Sequence, residues 1–215
     1  MDRARIKARA RNQLGNQIFG NNWVTAVIII VVAGAIVAIA SMLSLGLAAL
    51  VISGPLTYGT CYLFLKQARD SEVMSLSDLF IGFKEDFSGT FLLGLMQGIF
   101  IFLWSLLFII PGIIKTYAYS MAYYVMMDHP DYDWRRSLQE SEQLMKGHKW
   151  ELFVLDLSFI GWLIVGSFCL GIGTLWVTAY MSAARAQFYQ ELIGYDPVYN
   201  QQPEDNTSYG TAFEP

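Results

Sequence analysis

Charge is scarce in this 215-residue chain: Asp, Glu, Lys and Arg make up 15% of it, against 54% hydrophobic residues. An ordinary soluble domain carries about a quarter charged residues, so that class is excluded and an integral membrane protein is expected. Cysteine is nearly absent. Cys61 and Cys169 both fall in apolar runs without Cys-x-x-Cys spacing, which argues against a disulfide framework or a zinc ribbon. The chain has no His-Glu-x-x-His, no glycine-rich phosphate loop and no Gly-x-Ser-x-Gly, so neither enzymatic activity nor a cofactor is expected. His129 stands among Asp128, Asp131 and Asp133, the one group with metal-ligand chemistry, but such turns of Asp and Pro ordinarily stop and cap helices. No metal is assigned to it.

What the chain has in quantity is apolar sequence. A helix crosses a bilayer in about 20 residues. The run from Trp23 through Ile52 to Leu65 is right for two such helices, reversing near Ser41 to Gly46. Phe91–Ile110 gives a third, Ile113–Met127 a short fourth, Leu152–Leu170 a fifth and Ile172–Leu192 a sixth. The expected fold is therefore all-α: a polytopic transmembrane helical bundle of about six spans, with two interfacial amphipathic helices in its polar connections. Residues 1–22 form a basic cytoplasmic segment, 23–192 the transmembrane domain and 193–215 a flexible polar tail. Every Lys or Arg except Lys115 falls on the side of the two termini, Arg185 being in the helix half nearest that side. By the positive-inside rule both termini are cytoplasmic, and the localisation expected is the plasma membrane, multi-pass.

The basic start, with Arg3, Arg5, Lys7, Arg9 and Arg11, resembles the front of a signal peptide, but the apolar run continues well past Ala38-Ile39-Ala40, so an uncleaved first helix is expected. At roughly 100° per residue these cations show no clean amphipathic face. They read as a topology-setting tail near anionic head groups, and without interleaved aromatics no nucleic-acid partner is expected. In SLSDLFIGFKEDF, Leu76, Leu79, Phe80, Phe83 and Phe87 follow a helical stripe with Ser75 or Ser77 as N-cap. Asp133 is placed to cap a second amphipathic helix with Trp134, Leu138, Ser141 and Met145 on one face and Gly147 as its stop.

Within the spans, Gly94 and Gly98 form a G-x-x-x-G, Ala179, Ser182, Ala183 and Ala186 form a small-residue stripe, and Gly54-Pro55 is placed to kink its helix. Four polar residues stand out as a candidate intramembrane site: Gln97, Lys115, Asp156 and Arg185. Lys115 follows Pro111-Gly112, where its stem reaches the outer head groups by snorkelling; the alternative holds its ammonium inside, over Tyr117 or Tyr119 or against a backbone carbonyl freed at the proline, to bind an anionic head group or substrate. Asp156 precedes the Gly171 turn by about the same number of residues as Arg185 follows it, which sets the two at similar depth and predicts an ion pair.

The succession GPLTYG, DLFIGF, LFIIPGIIKTYAYSMAYY, ESEQLMKGHKWELFVLDLSFIGW, LGIGTLWV and AQFYQEL resembles an uncharacterised family of integral membrane proteins from Gram-positive bacteria, a domain of unknown function, over nearly the whole chain to Leu192. The Ile-Pro-Gly pattern is also loosely similar to membrane domains attached to glycerophosphodiester phosphodiesterases. The resemblance implies a polytopic plasma-membrane protein and supplies no catalytic residues. Two functions fit. One is a non-enzymatic membrane scaffold or accessory protein whose partners are membrane lipids or another membrane protein at the cytoplasmic face. The other is a small transporter or lipid-translocating protein with a polar intramembrane site. A continuous polar cavity reaching the midplane favours the second, a dry bundle the first.

Overall fold

The computed structural model describes residues 3–15, 21–44, 47–70, 74–168 and 172–194. Among them every regular element is helical. The chain opens with α1 (Arg3–Leu14), followed by the antiparallel pair α2 (Asn21–Ser44) and α3 (Leu47–Asp70). A 3-10 turn (Leu76–Phe80) and the single turn α4 (Ile81–Lys84) lead into α5 (Phe87–Leu107). Then come α6 (Ile109–Ala118), α7 (Ala122–Asp128), α8 (Trp134–Leu144), α9 (Lys149–Phe168) and α10 (Ile172–Leu192). Segments Asn22–Met42, Phe87–Leu107 and Lys149–Ser167 are long and apolar enough to cross a membrane. The Gly171 turn, Cys169 and the tail from residue 195 lie outside the described residues.

Glycines set where the helices cross. A Cβ on Gly94 would lie 2.8 Å from the Cα of Gly54, so α5 crosses α3 backbone to backbone at this point. Gly54-Pro55 thus sits at a helix crossing, and α3 continues through Pro55 without interruption. Gly98, the other half of the G-x-x-x-G, is exposed with open space around it. Gly82 lies against the Pro55 carbonyl, and a Cβ on Gly59 would overlap the Leu79 carbonyl. This close seat on α3 explains why SLSDLFIGFKEDF is not one helix. It tightens into a 3-10 turn capped by Ser75 and buries Leu79, while Leu76, Phe80 and Phe87 stay exposed.

The basic N-terminus is more than a tail. Ile6, Ala10 and Leu14, four residues apart, bury one side of α1 against the bundle, where it packs on α10. The Tyr180 hydroxyl donates to the Lys7 carbonyl at 2.9 Å, and the Gln13 amide donates to the Phe64 carbonyl at 2.8 Å. The Lys7 ammonium sits 4.4 Å from the centre of the Phe159 ring, and burial together with Arg3 lowers its pKa. Ala179, Ala183 and Ala186 of the small-residue stripe are fully buried in α10.

The segment expected as one short helix, Ile113–Met127, is broken. α6 runs back along α5 from the extended residue Phe108, turns at Tyr119–Met121, and the chain resumes as α7. At its far ends the bundle is tied by one network. Arg69 holds Asp128 through two hydrogen bonds of 2.7 and 2.8 Å, and the Tyr189 hydroxyl donates to the same carboxylate at 2.8 Å.

Candidate functional site

The break between α6 and α7 has a defined chemistry. The Ala122 amide bonds to the Tyr119 carbonyl at 3.2 Å, a three-residue step that leaves the Ala118 carbonyl without its helical donor. The Ser120 amide takes the Tyr117 carbonyl at 3.4 Å, so the Met121 amide also lacks its helical acceptor. Ser141 of α8 replaces both. Its hydroxyl donates to the Ala118 carbonyl at 2.8 Å and accepts from the Met121 amide at 3.2 Å. Gln97 of α5 adds a third contact, its amide donating to the Tyr119 carbonyl at 3.3 Å. α8 is in turn set in place by Asp133, which caps it by accepting from the Arg136 amide at 3.0 Å, and it ends near Gly147 at φ +85°.

Beside this break lies a cavity of about 980 Å3. α6 packs on α5, α8 and α9, and the cavity is the slot between it and the α2–α3 pair. Ala33, Val37, Leu56 and Phe64 supply apolar wall on one side, Ile113, Leu152 and Phe153 on the other. Polar groups converge in it: Gln97, Thr60, Ser120, Tyr117, Tyr123, Tyr124, Asp156 and Arg185. The Oε1 of Gln97 is buried there without a hydrogen-bond partner. Gly34, Ala38, Thr57, Ile113 and Thr116 line the slot and are exposed, so these residues form its mouth.

The expected pair between Asp156 and Arg185 forms inside the slot, Arg185 Nη2 donating to Asp156 Oδ2 at 2.9 Å. The two partners are unequally covered: the Asp156 side chain is 13% exposed and that of Arg185 45%. The Tyr117 phenol faces the same carboxylate. Three of the four sequence candidates, Gln97, Asp156 and Arg185, therefore share one cavity.

Lys115 does not join them. Its ammonium lies 2.6 Å from Glu142 Oε1 on α8 and 5.3 Å and 5.5 Å from the Tyr119 and Trp104 ring centres. A carboxylate on α8 thus meets the Lys115 charge within the protein. Of the two tyrosines expected near it, Tyr119 is the one whose ring it meets. Asp128 and Asp133 of the acidic turn serve the Arg69 network and the α8 cap, and His129 stacks on Tyr132 at 4.4 Å.

Sequence reasoning missed Tyr117, Tyr123, Tyr124 and Cys61 as cavity residues. The signal was present: Thr116, Tyr117, Tyr119, Ser120, Tyr123 and Tyr124 concentrate hydroxyls in one apolar segment.

The described residues define an all-helical protein with three helices apolar enough to cross a membrane and a mostly apolar slot, with a few polar side chains, at an interrupted helix. The chain belongs to the family described as "Protein of unknown function (DUF975)", which matches residues 1–116 and 106–195. No curated protein and no solved structure matches it significantly.

Proposed function

We propose that this chain is a non-enzymatic, multi-pass plasma-membrane protein that binds an amphiphile in the slot between α6 and the α2–α3 pair and moves it across the bilayer. The single observation that carries this reading is the cavity itself, in which an ion pair and three tyrosines meet beside a broken helix. Non-helical backbone at membrane depth is tolerated where it lines a cavity or is covered by protein, and interrupted helices are a recurrent means of building intramembrane sites. Six crossings are assigned to α2, α3, α5, the α6–α7 segment, α9 and α10, with both termini cytoplasmic. In support, Val31, Ile39, Phe102, Leu106, Ile160 and Ile164 are exposed on α2, α5 and α9, an apolar surface that suits lipid and not water. The 3-10 segment then lies at the cytoplasmic interface, while α8, whose Ser141 fills the α6–α7 break, is held against the bundle beside it.

The scaffold reading draws on exposed cations: Arg3, Arg5 and Arg11 on α1, Arg135 and Arg136 on α8. These suit contact with anionic lipid or a partner but leave the cavity without a role, so translocation is preferred. The test is reconstitution in liposomes with a fluorescent phospholipid in both leaflets, followed by quenching from outside. Protein-dependent quenching of the inner-leaflet pool is expected, and Thr57→Trp at the mouth of the slot should suppress it. Quenching no faster than in empty liposomes would refute the proposal.

A further inference from the structure

Resting on the reading of the slot as a ligand site, we propose that its ligand is an amphiphile with an anionic head group, phosphate or carboxylate, which takes Arg185 from Asp156. Among the residues lining the slot, Arg185 is the one cation and Asp156 the one anion. Charge count alone therefore does not choose the sign of the ligand; exposure does. The carboxylate of Asp156 is largely covered, at 13% exposed, whereas the guanidinium side chain is 45% exposed where it lines the cavity. An entering cation finds its acceptor hidden, and an entering anion finds its donor open.

The hydrogen bonding points the same way. Arg185 meets Asp156 through a single contact, Nη2 to Oδ2 at 2.9 Å, while Arg69 holds Asp128 in a two-point fork of 2.7 and 2.8 Å. A guanidinium has five donors, and a planar two-point partner is its strongest match. Arg185 thus keeps a free edge that a phosphate or carboxylate fits, and Asp156 holds the charge in place while the site is empty. That the ligand also carries an apolar tail follows from the mouth, where Gly34, Ala38 and Ile113 are exposed and the hydroxyls of Thr57 and Thr116 already donate to the Ser53 and Gly112 carbonyls of their own helices.

The test uses the purified full chain in detergent, analysed by native mass spectrometry against phosphatidylglycerol, phosphatidylcholine and inorganic phosphate. Phosphatidylglycerol is expected to be retained at least tenfold over phosphatidylcholine, and millimolar inorganic phosphate to leave it bound. Arg185→Gln should abolish the preference. Asp156→Asn should strengthen phosphatidylglycerol binding by threefold or more, because it removes the internal competitor. The double variant Asp156→Asn, Arg185→Gln leaves no charge unpaired, and it should melt like the parent yet bind both lipids equally. Equal binding of both lipids by the parent, or weaker phosphatidylglycerol binding by Asp156→Asn, overturns the inference; displacement by inorganic phosphate overturns its amphiphile part. Selective binding without translocation would refute the function proposed above and leave this inference standing. Translocation without head-group preference would do the reverse.

Discussion

Replacing Ser141 by alanine should loosen the α6–α7 break. Ser141 is fully buried, and its one hydroxyl serves two backbone groups, the Ala118 carbonyl at 2.8 Å and the Met121 amide at 3.2 Å. Alanine removes both partners at once and admits no water in return. A buried polar group left unpaired costs about 1–3 kcal/mol, so two cost at least about 2 kcal/mol. For a chain of this length, about 2–4 °C of Tm accompanies each kcal/mol, which gives a loss of about 4–8 °C. Intrinsic helix propensity works against the effect, since alanine is the better helix former within α8. The assay is thermal unfolding of the detergent-solubilised protein, with Gln139→Ala, exposed on the same helix, as control. Hydrogen exchange at the Met121 amide should rise in Ser141→Ala alone. A Tm within 1 °C of the control, or unchanged exchange at Met121, would refute the bridging role.

Three further outcomes follow from the packing. Gly94→Ala should lower Tm clearly while Gly98→Ala does not, because a Cβ at Gly94 would sit 2.8 Å from both Gly54 Cα and Tyr123 Oη, whereas Gly98 has open space. Tyr189→Phe should cost about 1 kcal/mol of stability by removing one of the donors on Asp128, read as a small Tm loss without change of fold. In a double-mutant cycle on Asp156→Asn and Arg185→Gln, the coupling should be about 0.5–3 kcal/mol; strictly additive losses would deny that the 2.9 Å contact is an energetic pair.

The parts of the structure that depend on local pattern were open to inspection in the sequence. Apolar run lengths placed α2, α3, α5, α9 and α10 within a few residues, and the similar separations of Asp156 and Arg185 from Gly171 in the sequence brought the two together because α9 and α10 pack side by side and sequence separation becomes depth. Asp133 announced the α8 cap by residue type alone. What depended on docking was not visible. The break at Tyr119–Met121 contains no Gly or Pro, and it persists because Ser141, some twenty residues away, satisfies it. Lys115 finds Glu142 for the same reason: its partner lies on an element whose seat against α5 and α6 the sequence does not record. The buried stripe of α1 was masked by the alternating cations around Ile6, Ala10 and Leu14, which draw attention to charge at the expense of the apolar period.

The slot between α6 and the α2–α3 pair is tested most directly by photocrosslinking inside the membrane with a diazirine amino acid at two nearby positions of α3. Thr60 lines the cavity, whereas Leu63 is 1% exposed and packed in the core. After illumination in liposomes, the chain substituted at Thr60 should gain the mass of one phospholipid, and that substituted at Leu63 should crosslink only to protein. A Thr60 site that captures no lipid, or a Leu63 site that captures as much, would contradict a lipid-accepting slot at this place in the bundle.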